Sequence, residues 1–148
     1  MPSYSIDGQD SSVAADSILY LARGASKRYK IFYLTTGSAA TPADQAIEME
    51  VNRVTNTTSA AGSAATPEPF DDVDGASVTT ALTALTTEPM TKAETLLHYS
   101  HNLRANFQWY ANPGKEFTFP DTATTGAVLE CVSATAAQNY EATLHFDE

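Results

Sequence analysis

The chain has 148 residues, which by the usual size of domains makes one domain with room for a hydrophobic core. Its 18 Asp and Glu residues outnumber its 8 Lys and Arg residues, so the formal net charge is -10. Such a surface repels the phosphates of nucleic acids and of anionic membranes, so we expect neither as a partner. The single cysteine excludes an internal disulfide, and no apolar run approaches the ~18 residues of a membrane span.

The first 16 residues are small and polar, and Tyr4, Ile6 and Val13 are their sizeable apolar anchors. We therefore predict an extended arm over 1–16, ordered only where it packs on another surface, and a β-domain over 17–148. The N-terminus lacks a basic region followed by an apolar run, so no secretory signal is expected. We expect the protein to be made in a cytoplasm and to leave it, if at all, by another route.

Alternation of apolar and polar side chains predicts about eight strands and no helix. The predicted strands are 17–22, 27–36, 45–54, 77–87, 92–102, an aromatic pair within 107–119, 127–132 and 140–147. Residues 55–75 form a long polar loop in which Pro67 and Pro69 exclude a regular ladder and Phe70 is expected to contact the body. The predicted fold is all-β, an antiparallel two-sheet β-sandwich of jelly-roll type.

The segment 107–120 contains the heaviest apolar side chains of the chain, among them the only Trp. Phe107 and Trp109 alternate, as do Phe117 and Phe119, and an Asn-Pro-Gly turn signal separates the two pairs. The pattern fits either a tight hairpin or a corner between two sheets. We predict that Trp109, Phe117 and Phe119 are buried in the core; the functional alternative is a platform that stacks on sugar or bases.

Three groups of side chains could in principle carry chemistry. His98 and His101 form an H-x-x-H pattern, which would chelate a metal on a helix but places the two rings on opposite faces of a strand. Residues 71–75 resemble part of a calcium loop but lack its closing Glu. Glu48 and Glu50 share one face of a strand, as a glycosidase pair would, but are interpreted as a solvated face. We assign no catalytic, cofactor-binding or metal-binding residue and no cofactor.

Three further features have simple structural interpretations. The basic residues Arg23, Lys27, Arg28 and Lys30 are close in sequence and are expected to be exposed on or beside a strand; the alternative is a local basic patch that could bind nucleic acid. Asn56-Thr57-Thr58 matches an N-glycosylation acceptor, but without a signal peptide it would not meet the modifying enzymes. Cys131 is in phase with Ala127 and Leu129, which predicts a buried, reduced thiol rather than a reactive one.

Several short segments, taken in their order and spacing, carry a resemblance to a known family. They are Lys27 to Ile31, Ile47 to Arg53, Ala65 to Asp71, Thr87 to Pro89, Phe107 to Trp109, Pro113 to Glu116, and Leu144 to Glu148. In these the chain resembles small structural proteins encoded by tailed phages and prophages, usually near head genes. The resemblance implies an all-β virion protein without catalytic residues.

The family further implies a capsid decoration or cement protein that binds and stabilises the head. Its partners would be the major capsid protein and sister copies, as a homo-oligomer on the capsid, and its location the virion after synthesis in the host bacterial cytoplasm. The resemblance does not separate a head protein from a tail or fibre component. We expect the arm and the loop 55–75 to make much of the contact, and a chain without residues 2–14 to fold almost normally.

Two other functions compete with this interpretation. In a carbohydrate-binding β-sandwich, Trp109, Tyr110 or Tyr99 would be exposed and stack on sugar. A hydrolase is the least supported, because no catalytic motif is present. Exposure of these three aromatic side chains discriminates the first alternative from a structural protein.

Overall fold

The computed structural model describes residues 1–11, 16–22, 27–38, 41–55, 60–88, 91–121, 124–134 and 138–148. Within these ranges the chain forms twelve strands and no helix. The strands are β1 (Ser3–Asp10), β2 (Asp16–Ala22), β3 (Tyr29–Ser38), β4 (Ala46–Thr55), β5 (Ala61–Ala65), β6 (Glu68–Pro69), β7 (Thr80–Thr87), β8 (Thr91–Asn102), β9 (Phe107–Tyr110), β10 (Phe117–Phe119), β11 (Thr125–Ser133) and β12 (Tyr140–Asp147).

The strands form two antiparallel sheets that pack face to face. Sheet A has the order β10-β3-β12-β1-β6, with β9 also paired to β3, and sheet B has the order β5-β7-β2-β11-β4-β8. Their inner faces share one core cluster, to which both sheets contribute buried aromatic and aliphatic side chains. The all-β prediction of an antiparallel two-sheet sandwich is therefore confirmed, whereas the jelly-roll connectivity stays a prediction.

Strands with clear alternation bury the side chains that the alternation predicts. Along β12, Tyr140, Ala142, Leu144 and Phe146 are buried and their neighbours face outward. Cys131 is buried in β11 as a free thiol, and burial raises its pKa. A raised pKa keeps the thiol protonated, so the prediction of a buried cysteine is confirmed and its surroundings do not activate it.

The prediction of an N-terminal arm over 1–16 is wrong for residues 3–10. These residues form β1, which pairs along its whole length with β12 and also with β6. Tyr4 and Ile6 are buried in the shared core, and the Tyr4 ring stacks on Phe146 at 5.5 Å between ring centroids. The division at residue 16 therefore does not separate an arm from the domain, although Val13 lies outside the described residues.

The position of β1 reverses the expectation for the deletion of residues 2–14. The deletion would remove an interior strand of sheet A and leave one edge of β12 unpaired. It would also remove the Tyr4 ring from the core. The deletion should therefore unfold the domain rather than leave its melting curve unaltered.

The aromatic segment forms neither a hairpin nor a corner. β9 pairs with Tyr33 to Thr36 of β3, and β10 continues along the same strand, pairing with Tyr29 to Ile31. Residues 111–116 bulge out between them, in a turn closed by a hydrogen bond from the Lys115 N–H to the Asn112 carbonyl. The segment is thus one edge strand with an interruption, because Pro113 cannot donate to the ladder and Gly114 has a positive φ of 81°.

Of the three predicted core rings in this segment, only Phe119 is fully buried. It stacks on Tyr29 with ring centroids 4.7 Å apart. Trp109 and Phe117 are half-buried and stack on each other at 4.4 Å. The prediction of full burial is wrong for these two because they lie at the outer margin of sheet A, where β9 and β10 form the edge.

The long polar loop contains two short strands. β5 pairs with β7 at the margin of sheet B, and β6 pairs with β1 despite Pro69. The proline is tolerated because β6 is an edge strand, where a missing N–H need not break a ladder. The predicted strand 77–87 begins only at Thr80, and Val78 before it is exposed.

Candidate functional site

A bulge in β3 creates the most distinctive surface of the molecule. His145 of β12 pairs with Tyr33 while the next residue, Phe146, pairs with Ile31, so Phe32 is the extra residue. The bulge shifts the alternation, and Leu34 rather than Tyr33 is buried in the core. Uninterrupted alternation along the predicted strand 27–36 would place Tyr33 on the inner face with Tyr29 and Ile31, but the bulge places its ring on the outer face of sheet A.

Four aromatic side chains cross the outer face of sheet A in a row. Tyr110 of β9 lies opposite Tyr33, whose other neighbour is His145, and Phe70 after β6 reaches the far side of His145. Successive ring centroids are 4.7 Å, 4.4 Å and 4.8 Å apart. We call Tyr110, Tyr33, His145 and Phe70 the aromatic row.

Each inner ring of the aromatic row contacts a ring on both sides, whereas each end ring contacts only one. The two end residues are therefore the most exposed. Tyr110 is 66% exposed and Phe70 is 55% exposed, whereas Tyr33 and His145 are half-buried between their neighbours. Phe32 adds a fifth ring beside His145, at 6.0 Å. Cross-strand aromatic pairs stabilise a sheet, but the exposed end rings also leave apolar surface open to a ligand.

The aromatic row is uncharged at neutral pH. Burial lowers the pKa of His145, and the nearby Asp7 carboxylate acts in the opposite direction. Partial desolvation raises the pKa of Tyr110. Its electrostatic interaction and hydrogen bond with the Tyr33 phenol raise it further. The imidazole is therefore neutral and the phenol is protonated, so each can offer both a donor and an acceptor at its rim.

A polar trough lies beside the aromatic row on the same face. Its first line of side chains is Asp7, Thr143, Thr35 and Gln108, which occupy neighbouring strands at one level of the sheet. Its second line includes Gln9 and Glu141, opposite Gly37. Two depressions of about 410 and 240 Å³ meet at Glu141 and Thr143, one toward β1 and the other toward β3.

Gly37 and Asn106 together line the β3 end of the trough. Gly37 has no side chain, and the Asn106 Oδ1 atom lies above it, within 2.7 Å of the position that a Cβ would take. Among the described residues, no hydrogen bond joins the side chain of Glu141, Thr143 or Gln108 to another protein group. The trough therefore presents carboxylate, hydroxyl and amide groups to solvent, directly beside exposed rings.

The two histidines of the H-x-x-H pattern do not come together. β8 is a strand, as predicted, so His98 faces outward and His101 faces the core side, where it stacks near Tyr99 and Phe107. Burial lowers the pKa of His101. Within the described part of the chain, no group of three or more His, Cys, Asp or Glu side chains could hold a metal ion.

The carboxylates considered for chemistry do not form a catalytic pair or a calcium loop. Glu50 accepts a hydrogen bond from Asn52, and across the sheet it lies opposite Glu130, which pairs with Lys92. Glu48 lies opposite serines rather than a second acid. In residues 71–75, the Asp71 carboxylate accepts a hydrogen bond from the Val73 N–H, as an acidic turn would.

The basic residues do not form a patch in the part of the chain that the structure describes. Arg28 is exposed, Lys30 is half-buried, and the Lys27 ammonium lies 4.0 Å from the Glu148 carboxylate. Arg23 and the pattern Asn56-Thr57-Thr58 lie outside the described residues.

The three aromatic side chains of the carbohydrate hypothesis differ in exposure. Tyr110 is exposed, Trp109 is half-buried and Tyr99 is buried, with its hydroxyl donating to Thr36 Oγ1 at 3.2 Å. Sequence reasoning missed Tyr33, because its outward position depends on the bulge, and it did not connect His145 with Phe70. The outward phase of His145 was visible in the alternation of β12, but the register that joins the four strands was not.

Among the described residues, no helix has the length and apolarity to pass through a membrane. Comparisons with protein-family models, curated proteins and solved structures find no match.

Proposed function

We propose that this protein is a non-enzymatic virion structural protein of a tailed phage, a capsid decoration or cement protein that binds and stabilises the head. Its partners would be the major capsid protein and sister copies, and neither nucleic acid nor membrane. The sequence resemblance supports this proposal, as does an ordered loop with exposed apolar side chains. That loop, residues 70–79, is called the docking loop below.

The docking loop is held in place by one buried carboxylate. Glu148 accepts hydrogen bonds from the backbone N–H groups of Val78 and Thr79 at 2.8 and 3.1 Å. Its second oxygen also accepts from the hydroxyls of Thr79 and Ser77, at 2.8 and 3.1 Å. The Tyr4 hydroxyl donates to the Gly75 carbonyl at 3.0 Å, so β1 also fixes the loop.

The same loop presents apolar side chains to solvent. Val73 is 87% exposed, and Phe70 and Val78 are also exposed. A segment that is already ordered loses little conformational entropy on binding, so apolar contacts made by its tip contribute more fully to affinity. This combination of a fixed backbone and an exposed apolar tip is the observation that carries the proposal of a structural binding protein.

The test uses phage capsids that lack this protein, mixed with the purified chain and separated by sedimentation. The wild-type protein should co-sediment with capsids, and Val73→Asp should bind at least about tenfold more weakly, a loss of ~1.4 kcal/mol. Val73 has few contacts to lose, so the variant should keep the wild-type melting temperature. Ala93→Asp, at an exposed position of β8, is the matched control and should bind as wild type.

Two results would contradict the proposal. One is wild-type capsid binding by both Val73→Asp and Val78→Asp, which would remove the docking loop from the interface. The other is the location of the protein on intact virions: antibody label on the tail or fibres, rather than the head, would favour a tail component.

A further inference from the structure

We propose that the aromatic row and the polar trough together form a binding site for a neutral glycan. This site goes beyond the proposed virion function and does not depend on it. The trough lies along β1, β12, β3 and β9, whereas the apolar tip of the docking loop, Val73, is outside it. Phe70 is the one residue that belongs to both.

The aromatic row supplies the apolar part of the site. Tyr110 stands at the free margin of sheet A, and no strand lies beyond β9 among the described residues. The Tyr33 ring packs against one side of the Tyr110 ring at 4.7 Å between ring centroids, and Tyr110 as a whole remains 66% exposed. A ring that is fixed on one side and open on the other can stack on the C–H face of a pyranose while its hydroxyl bonds at the rim.

The polar trough supplies the hydrogen bonds that a sugar needs. Each sugar hydroxyl is both a donor and an acceptor, so a glycan requires closely spaced groups of both kinds. Asp7 and Glu141 can accept, Gln108 can do both through its amide, and Thr143 can do both through its hydroxyl. Gln108 and Thr143 lie two residues along their strands from Tyr110 and His145, at the next outward position. Asp7 lies opposite Thr143 on β1, and Glu141 is one outward position further along β12.

The charge of the site selects the class of ligand. Asp7 and Glu141 are carboxylates, and Glu68 lies beside the Phe70 end of the aromatic row. They repel sulfated, phosphorylated or uronic-acid chains, as does the net charge of -10. A second copy of the chain would bring equal charge and would bury these carboxylates without cations, at a cost that a hydroxyl-rich ligand avoids.

The test is a titration of the full chain with neutral hexaoses from cellulose, starch and chitin, followed by NMR and calorimetry. An oligogalacturonide serves as the anionic counterpart. At least one neutral probe should shift the resonances of Tyr110 and Thr143, and the anionic probe should not. Tyr110→Ala should weaken the binding of that probe by at least about tenfold, and Tyr110→Phe, which keeps the ring, should weaken it less.

Two further variants separate the site from a general surface effect. Glu141→Ala removes a trough carboxylate and should weaken the binding of the neutral probe. His98→Ala removes an exposed side chain from the outer face of sheet B and should bind as wild type. All variants should keep the wild-type melting temperature, because the substituted side chains are exposed.

The proposal is overturned if no neutral probe binds the wild-type chain at millimolar concentration. It is also overturned if Tyr110→Ala and Glu141→Ala bind as wild type, or if the oligogalacturonide binds better than the neutral chains. If Tyr110→Ala instead changes the sedimentation of the protein alone, the aromatic row is a contact between copies and the glycan assignment is wrong. Capsid binding by the Val73 variants is a separate measurement, so either proposal can fail alone.

Discussion

The outer faces of the two sheets differ in how completely the fold uses them. On sheet B, a small second core consists of the buried side chains of Tyr20, Val54, Leu85 and Val128. The partly buried Ala22, Ala60 and Leu82 pack against it. Two acids of sheet B are also engaged, since Glu130 pairs with Lys92 and Glu88 accepts hydrogen bonds from Ser17. On sheet A, the outer face has exposed rings and a polar trough in which the side chains of Glu141, Thr143 and Gln108 form no hydrogen bond to another part of the described chain.

This difference indicates where binding can occur without damage to the fold. A face whose apolar groups are covered and whose charges are paired contributes to stability and has little left to offer a ligand. The outer face of sheet A contributes less to stability, so its side chains are available for recognition. Substitutions on the two faces should therefore have opposite profiles, with losses of stability on sheet B and losses of binding on sheet A.

The largest expected effect separates the two faces by stability. Leu85→Ala removes a buried side chain from the second core of sheet B and should lower the free energy of unfolding by about 2–5 kcal/mol. Tyr110→Ala removes a larger but exposed side chain from sheet A and should change it by no more than about 0.5 kcal/mol. Urea denaturation measures the free energy of unfolding of both variants. Equal losses would show that the outer faces of the two sheets contribute equally to stability.

A smaller effect concerns the charged groups of the two faces. Lys92→Met leaves the buried Glu130 carboxylate without its cation and should cost about 1–3 kcal/mol, as expected for an unsatisfied buried group. Glu141→Gln on sheet A, the matched control, should stay within about 0.5 kcal/mol of wild type. Denaturation at neutral pH tests the pair, and a neutral Lys92→Met variant would show that Glu130 is solvated in solution.

The smallest expected effect is a shift in the titration of His145. Burial lowers its pKa below the ordinary value of 6.5, and the Asp7 charge partly opposes this. Asp7→Asn should therefore lower the pKa of His145 further, which NMR titration of the imidazole resonances measures. Because the folded-state pKa of His145 is lowered, its contribution to the free energy of unfolding is complete above pH 6.5. That contribution is lost as the pH falls from 6.5 through the folded-state pKa. If the pKa of His145 is unchanged in Asp7→Asn, the carboxylate of the trough does not interact electrostatically with the aromatic row.

The fold class and most strands could be predicted from the sequence because their alternation is strong. β4, β8 and β12 each carry large apolar side chains on one face, and their bounds match the prediction closely. β1 was not predicted because Tyr4 and Ile6 are its only large buried side chains, in a segment that is otherwise polar or glycine. β5 was not predicted because its Ala, Gly and Ser residues are almost all exposed and show no apolar alternation. Pairing partners, rather than intrinsic pattern, make these two segments into strands.

The candidate site could be predicted only in part. Tyr110 was recognised as a possible sugar platform, but it was grouped with Trp109 and Tyr99, which belong to the inner side of the sheets. The other ring that contacts Tyr110 comes from β3, and its outward position depends on one extra residue, Phe32. A bulge is set by the register between distant strands, which no local pattern in a single sequence reveals.

The place of β12 between β3 and β1 has a consequence for how the chain reaches this structure. Ser3 and Asp147 are hydrogen-bonded at 2.6 Å although they lie 144 positions apart. Bringing such distant segments together costs loop-closure entropy before any contact compensates it, so folding rich in these contacts is slow.

During synthesis, β1 leaves the ribosome long before its partner strand exists. Until β12 arrives, β1 and β3 cannot join in sheet A, and each keeps an unpaired edge beside apolar side chains. Sheet A therefore closes after translation of residues 140–147, in one late step. The nascent chain is most exposed to aggregation in that interval, and chaperones that shield strand edges would act on it there.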